Sequence, residues 1–203
     1  MILNDYFSEI YCINLDRRPD RFHNAWRQFR KFGMYVQRYP AIDKQTLSHN
    51  GKISTGELGC GMSHYNIIKK CKENKSKNVL VFEDDVMLRE DFLEIFNNTI
   101  GRVPEWDMLF FGGNHVGGLE QIDADIFKMR YSFCLHAYAL RKHMFDVLLS
   151  NWGNFDKPVD VTTAELHERY NCYVIRPPNG ALAWQKSNYS DIQEGERNYD
   201  FMK

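Results

Sequence analysis

Three consecutive carboxylates, Glu83, Asp84 and Asp85, follow the apolar run Val79-Leu80-Val81-Phe82. Four apolar residues, mostly β-branched or aromatic, read as a buried strand. Uncompensated charges cannot stay inside such a strand, because burying one costs several kcal/mol even after relaxation. The acids therefore belong where the strand leaves the sheet. In open α/β sheets that is the crevice at the carboxyl ends of the strands, where ligands bind. Hard oxygen donors suit Mg²⁺ or Mn²⁺, ions that keep several waters and bridge to substrate phosphates. The alternative is a solvated loop, or a cap on the following helix.

A second cluster carries the opposite sign. Asp16-Arg17-Arg18-Pro19-Asp20-Arg21 follows a first strand expected over Glu9 to Leu15, and Pro19 suits the first turn of a helix. The arginines read either as a solvated helix start or as partners of an anion. In the second case Arg18 or Arg21 contacts a nucleotide phosphate. Positive charge at a helix N-terminus opposes the macrodipole unless an anion is near, which favours the second reading. A glycine-rich stretch, Thr55 to His64, opens another helix with Leu58, Met62, Tyr65 and Ile68 expected on one face. Its three glycines permit close backbone approach to a ligand. His64 reads equally as a core histidine or a ligand contact.

Other elements must hold these residues in place. Phe22, Trp26 and Phe29 give the helix after Pro19 its stripe, with Gly33 as its stop, and Met34 to Tyr39 alternates like a short strand. After the acids come a helix (Asp91 to Asn98), a strand (Trp106 to Phe111) and a mobile loop at 114–118. Ile126 to Tyr131 is expected as an edge strand, followed by Phe133 to Leu140 as a further strand. Arg141 to Ser150 is an amphipathic helix, Pro158 leads into a helix running to about Tyr170, and Cys172 to Arg176 is the last strand expected. Beyond it the chain is polar. Alternating strands and helices predict an α/β fold.

The 203 residues, 43% hydrophobic and 26% charged, fit one globular domain. A net charge of -1 offers no field for nucleic acid. The basic run at 69–77 reads as a solvated helix end, with a peripheral membrane contact as the alternative. No apolar stretch approaches the roughly 20 residues that span a bilayer, and the start lacks a signal-peptide pattern. The five cysteines have no paired spacing, so free thiols and a cytoplasmic setting are expected.

Taken together, Ile13-Asn14-Leu15-Asp16-Arg17-Arg18 with Arg21, Gly56-Glu57-Leu58-Gly59-Cys60 with Ser63-His64, Glu83-Asp84-Asp85, Pro158-Val159-Asp160, and Gln185 with Ser190-Asp191-Ile192 form an ordered set. In this the chain resembles glycosyltransferase family 25, the bacterial lipooligosaccharide and animal collagen galactosyltransferases. The resemblance implies a GT-A fold with a central, mostly parallel mixed sheet and a catalytic domain over 1–192, followed by a polar tail at 193–203. It implies inverting transfer, typically of galactose from UDP-galactose, to a glycan or a hydroxylysine-type protein acceptor. Mn²⁺ or Mg²⁺ would sit on Asp85, with Glu83 on the ribose or the metal waters. Asn14, Leu15, Arg18, Arg21, Glu57, Ser63, His64, Glu83, Asp84, Gln185 and Asp191 are the implied donor-site residues. Asp160, at a helix start, is the candidate general base, with N-capping as its bland alternative and Glu165 and His136 as substitutes. The collagen-type members carry a signal peptide and a retention tail, and this chain shows neither. A non-catalytic sugar-nucleotide or glycan-binding protein on the same fold is the competing reading.

Overall fold

The computed structural model describes residues 2–49, 51–186, 188–192 and 195–197. In chain order the elements are α1 (Leu3–Tyr6), β1 (Glu9–Asn14), α2 (Pro19–Lys31), β2 (Gln37–Pro40), α3 (Thr55–Glu73), β3 (Asn78–Glu83), β4 (Val86–Leu88), α4 (Phe92–Thr99), β5 (Met108–Phe110), β6 (Leu119–Asp123) and β7 (Ile126–Met129). There follow β8 (Ala137–Arg141), α5 (His143–Trp152), α6 (Val159–Ala164), β9 (Cys172–Ile175), β10 (Ala183–Gln185), β11 (Asn188–Ser190) and β12 (Gly195–Arg197).

Among the described residues the main sheet has eight strands in the order β2-β1-β3-β8-β5-β9-β7-β6. β1 runs parallel to β2 and β3, and β5 parallel to β9, while β8 and β7 run against their neighbours. The pleat sends alternate residues to opposite faces. From β1 and β3, Ile10, Cys12, Leu80 and Phe82 enter one core with Phe29, Phe92 and Phe96 of α2 and α4. Tyr11, Ile13, Val79 and Val81 enter the other with Ile67 and Ile68 of α3 and Leu148 and Trp152 of α5. Two helical layers on one sheet bury those strands on both faces, which is why they read as continuous apolar runs.

Several expectations are corrected. The sheet edge beside β7 is β6, a polar strand with Glu120 and Gln121 exposed. The strand expected from Phe133 begins only at Ala137, because Cys134 takes a left-handed backbone with φ 74°. The helix after Pro158 ends at Ala164, with turns carrying the chain to Tyr170. The inward stripe of α3 is Leu58, Ser63, His64, Ile67, Ile68 and Cys71, with Met62 and Tyr65 only half-buried. The polar segment after Pro178 supplies β10, which pairs antiparallel with β4. Of the expected polar tail, all but Gly195–Arg197 lies outside the described residues.

Candidate active site

β1 and β3 lie side by side, so the chain leaving each one meets the other at the same end of the sheet. There the two clusters of opposite charge face each other. A cleft of about 110 Å³ opens between them, lined among others by Leu15, Arg17, Arg21, Lys44, Cys60 and Ile192. Asn14, Ser63, His64, Glu83, Asp84, Asp85, Gln185 and Asp191 also line it.

The pleat decides which acid meets which partner. Glu83 shares a face with Val79 and Val81, toward α3, and its Oε1 lies 3.2 Å from His64 Nε2. His64 is fully buried, with its Nδ1 2.9 Å from the Tyr138 hydroxyl. Gln185 on β10 donates to Glu83 Oε2 at 3.3 Å. Asp84 turns the other way, toward α2. It accepts from Asn14 Nδ2 at 2.6 Å and lies 3.4 Å from Arg21 Nη1. Asn14 is itself saturated, donating to the Arg18 carbonyl and accepting from Arg38 Nε. Its work is to tie β1 to the acidic turn.

Asp85 is different. Its nearest cation is Arg21 at 3.9 Å, and its buried Oδ1 has no hydrogen-bond partner among the described residues. Burial, with the charges of Glu83 and Asp84 beside it, pushes its carboxyl up to about 8. Burial also raises Asp84, against the pull of Asn14 and Arg21. Glu83 is likewise pushed up by burial, but the His64 hydrogen bond and charge outweigh that and leave it below the usual value.

On the other wall the arginines are already engaged. Asp191 lies 2.6 Å from Arg17, 2.5 Å from Arg18 and 3.5 Å from Arg21. Arg17 also holds Asp43, and Arg18 holds Asp20. The anion that the crowded helix start demands is thus supplied by the chain itself. Gly56 and Gly59 permit close approach as expected, but what approaches is main chain. A Cβ at Gly56 would meet the Ile192 carbonyl oxygen at 2.3 Å, and one at Gly59 the Ile42 oxygen at 2.6 Å.

Not every expected residue reaches the cleft. Glu57 closes a capping box with Ser54 at the start of α3 and does not line it. Arg18 is not part of the lining. Ser63 lines it, but its hydroxyl donates to the Gly59 carbonyl and accepts from Ile42 N–H. Glu165 is spent on a surface ion pair with Lys157. His136 is buried against the Ala183 carbonyl, and burial lowers its pKa. Neither of the two substitutes for Asp160 lines the cleft.

Asp160 does not N-cap α6, where Pro158 holds that position. One residue into the helix, its carboxylate accepts from Val161 N–H at 2.9 Å and Cys134 N–H at 3.3 Å. The second bond holds the left-handed Cys134 in place. Burial raises the Asp160 pKa, against those two N–H groups. Asp160 does not line the cleft, but its charge reaches Cys60 there, as do those of Glu83 and Asp85.

Sequence reasoning passed over Lys44, in a polar loop, and gave no role to Arg17 or Cys60, although both sat inside quoted motifs. All five cysteines are free, as expected. No helix among the described residues is long and apolar enough to cross a membrane.

A family model described as "Glycosyltransferase family 25 (LPS biosynthesis protein)" matches residues 7–131. A "Glycosyltransferase 25 family member" of Aedes aegypti is 32% identical over 127 residues, covering 52% of this chain and 21% of that protein. "Inactive glycosyltransferase 25 family member 3" of Mus musculus is 27% identical over 161 residues, covering 66% and 27%. "Procollagen galactosyltransferase 2" of Homo sapiens is 26% identical over 129 residues, covering 52% and 21%. The chain therefore spans only about a quarter of these relatives or less. Among solved structures, a glycosyltransferase involved in the glycosylation of the major capsid of PBCV-1 superposes with a TM-score of 0.53 at 10% identity, covering 90% of this chain and 94% of that one. That likeness supports a glycosyltransferase fold.

Proposed function

Because the chain belongs to glycosyltransferase family 25, we propose that it transfers a hexose, galactose in the first instance, from a UDP-sugar to a hydroxyl of a glycan or hydroxylysine-type protein acceptor, with inversion. The observation that carries this reading is Asp85: a buried carboxyl oxygen without a partner among the described residues, flanked by two more acids in a cleft that faces arginines. Such an oxygen fits a hard divalent cation, so Asp85 with Glu83 would hold Mn²⁺ or Mg²⁺. Bound there, the ion would act as a Lewis acid that offsets charge developing on the departing diphosphate.

The chain's own residues do the rest. Arg17 and Arg21 line the cleft and offer guanidinium donors to diphosphate oxygens in exchange for Asp191. Leu15 and Ile13 give the same cleft an apolar floor. Ligand pockets span roughly 300–1,000 Å³, so a cleft of about 110 Å³ must widen to admit a nucleotide sugar. The segment at Asp191–Ile192, held by the arginines and laid on Gly56, is the part whose movement would widen it. Asp160 takes the proton from the acceptor hydroxyl. Its oxygen attacks the anomeric carbon as the bond to the phosphate oxygen breaks, through a transition state of oxocarbenium character. Burial raises the Asp160 pKa, and a higher pKa makes a carboxylate a stronger acceptor for that proton.

The mouse relative named inactive, and the arginines' prior engagement with Asp191, favour a second reading. In it the same fold binds a sugar nucleotide without turnover. Incubation with UDP-galactose and Mn²⁺, with and without glycan and hydroxylysine acceptors, separates the two. UDP release that depends on acceptor supports transfer. Metal-dependent UDP binding without any release supports the second reading.

A further inference from the structure

The helix side of the cleft holds a donor set of another chemical character. Cys60 and His64 are four residues apart on α3 and so share a face. Glu83 arrives opposite them from the end of β3. One ligand atom from each lies within 4.8 Å of the other two, and all three residues line the cleft. A tetrahedral zinc site places thiolate, imidazole and carboxylate atoms roughly 3.5 Å apart, so a shift of about an ångström closes the set.

The surroundings suit a metal. His64 Nδ1 faces the Tyr138 hydroxyl, which leaves Nε2 turned to the shared space. Metal-bound histidines almost always carry such an outer hydrogen bond, which fixes the tautomer and the ring. The second oxygen of Glu83 is held by Gln185. Three protein ligands beside an open cleft match the pattern of a zinc site that keeps a fourth position free.

We infer that Cys60, His64 and Glu83 form a site for a borderline-soft divalent cation, Zn²⁺ in the first instance, distinct in donor chemistry from the hard-oxygen pair of Glu83 and Asp85. On binding, the Cys60 thiol gives its proton to solvent, and the ion replaces the direct contact between His64 and Glu83. Glu83 belongs to both donor sets. An ion held by the thiolate therefore withdraws Glu83 from Asp85, and zinc and a hard cation compete for it.

Titration of the intact chain with Co²⁺, without nucleotide or acceptor, tests this independently of the proposed transfer. The expected result is a near-ultraviolet thiolate-to-cobalt band that equimolar Zn²⁺ removes. Cys60→Ser should lose the band, and Cys134→Ser, which changes the other half-buried thiol, should keep it. Tyr138→Phe should weaken Zn²⁺ binding roughly 10–100-fold, the usual cost of an outer-shell partner, and leave the band intact. Alkylation of the unaltered chain gives a readout that needs no variant to fold: Zn²⁺ should protect Cys60. Cobalt binding without a thiolate band, a band that survives Cys60→Ser, or equal alkylation of Cys60 with and without Zn²⁺ would overturn the assignment.

Discussion

The two walls of the cleft carry opposite charge, and they differ in how that charge is settled. On the α2 wall, Arg17 and Arg18 each hold two carboxylates, and Asp191 touches all three arginines. On the β3 wall, three acids share His64, Asn14, Gln185 and the edge of Arg21, and Asp85 keeps a buried oxygen with no partner among the described residues. Removing charge from water without a partner costs several kcal/mol. The positive wall is thus internally satisfied, and the negative wall lacks one cation. A ligand made of a divalent ion and a diphosphate would complete the second and compete for the first.

The largest expected effect lies outside both walls. If Asp160 removes the acceptor proton, Asp160→Asn loses turnover by roughly 10²–10⁴-fold, equivalent to about 3–5 kcal/mol on the barrier. UDP affinity should change little, while the melting temperature should fall modestly, because Asn keeps one acceptor oxygen and turns an N–H donor toward the other of the Val161 and Cys134 N–H groups. Single-turnover transfer rates measured on the folded variant decide it. Near-normal transfer would leave Asp160 only its role of holding Cys134.

The next effect sharpens the contrast through pH. Asp85 has a folded-state pKa of about 8, against an ordinary value of 3.8. The folded chain therefore keeps a proton that the unfolded chain releases. Its stabilising contribution is full below the ordinary value and is lost as pH rises toward about 8. Without metal, Asp85→Asn should be more stable than the unaltered chain at pH 8–9, by on the order of a few kcal/mol, and equal to it near pH 4. Chemical denaturation at the two pH values reads this. A variant less stable at high pH would mean that Asp85 is already compensated.

How far these walls were legible from sequence differs by element. β3 and its acids stood out because a strand buried on both faces must be an unbroken apolar run, and charge must stop it. β6 did not, because an edge strand with exposed Glu120 and Gln121 has little reason to be apolar. β4 and β10 are three residues each and exist only by pairing with one another across about a hundred positions. The Asp191 contacts join residues still further apart, so the need for an anion near the arginines was readable but its source was not. Glu57 was assigned to the site on its motif, although Ser-x-x-Glu at 54–57 carries the pattern of a capping box, which is what forms.

The smallest effect probes the satisfied wall. Asp191→Asn leaves Arg17 and Arg18 one carboxylate short. UDP should then bind more tightly without metal, by roughly fivefold, the equivalent of about 1 kcal/mol for a partly exposed ion pair. Equilibrium titration with UDP in the presence of a chelator reads it. Weaker binding would show that Asp191 contacts the nucleotide rather than competing with it.

The cation missing from the β3 wall is tested most directly by isothermal titration of UDP into the unaltered chain and Asp85→Asn, each with and without Mn²⁺. The account predicts that Mn²⁺ tightens UDP binding to the unaltered chain and has no effect on the variant. The loss should exceed the roughly 10–100-fold that outer-shell changes cost. If Mn²⁺ enhances UDP binding equally in both proteins, Asp85 is not where the metal sits.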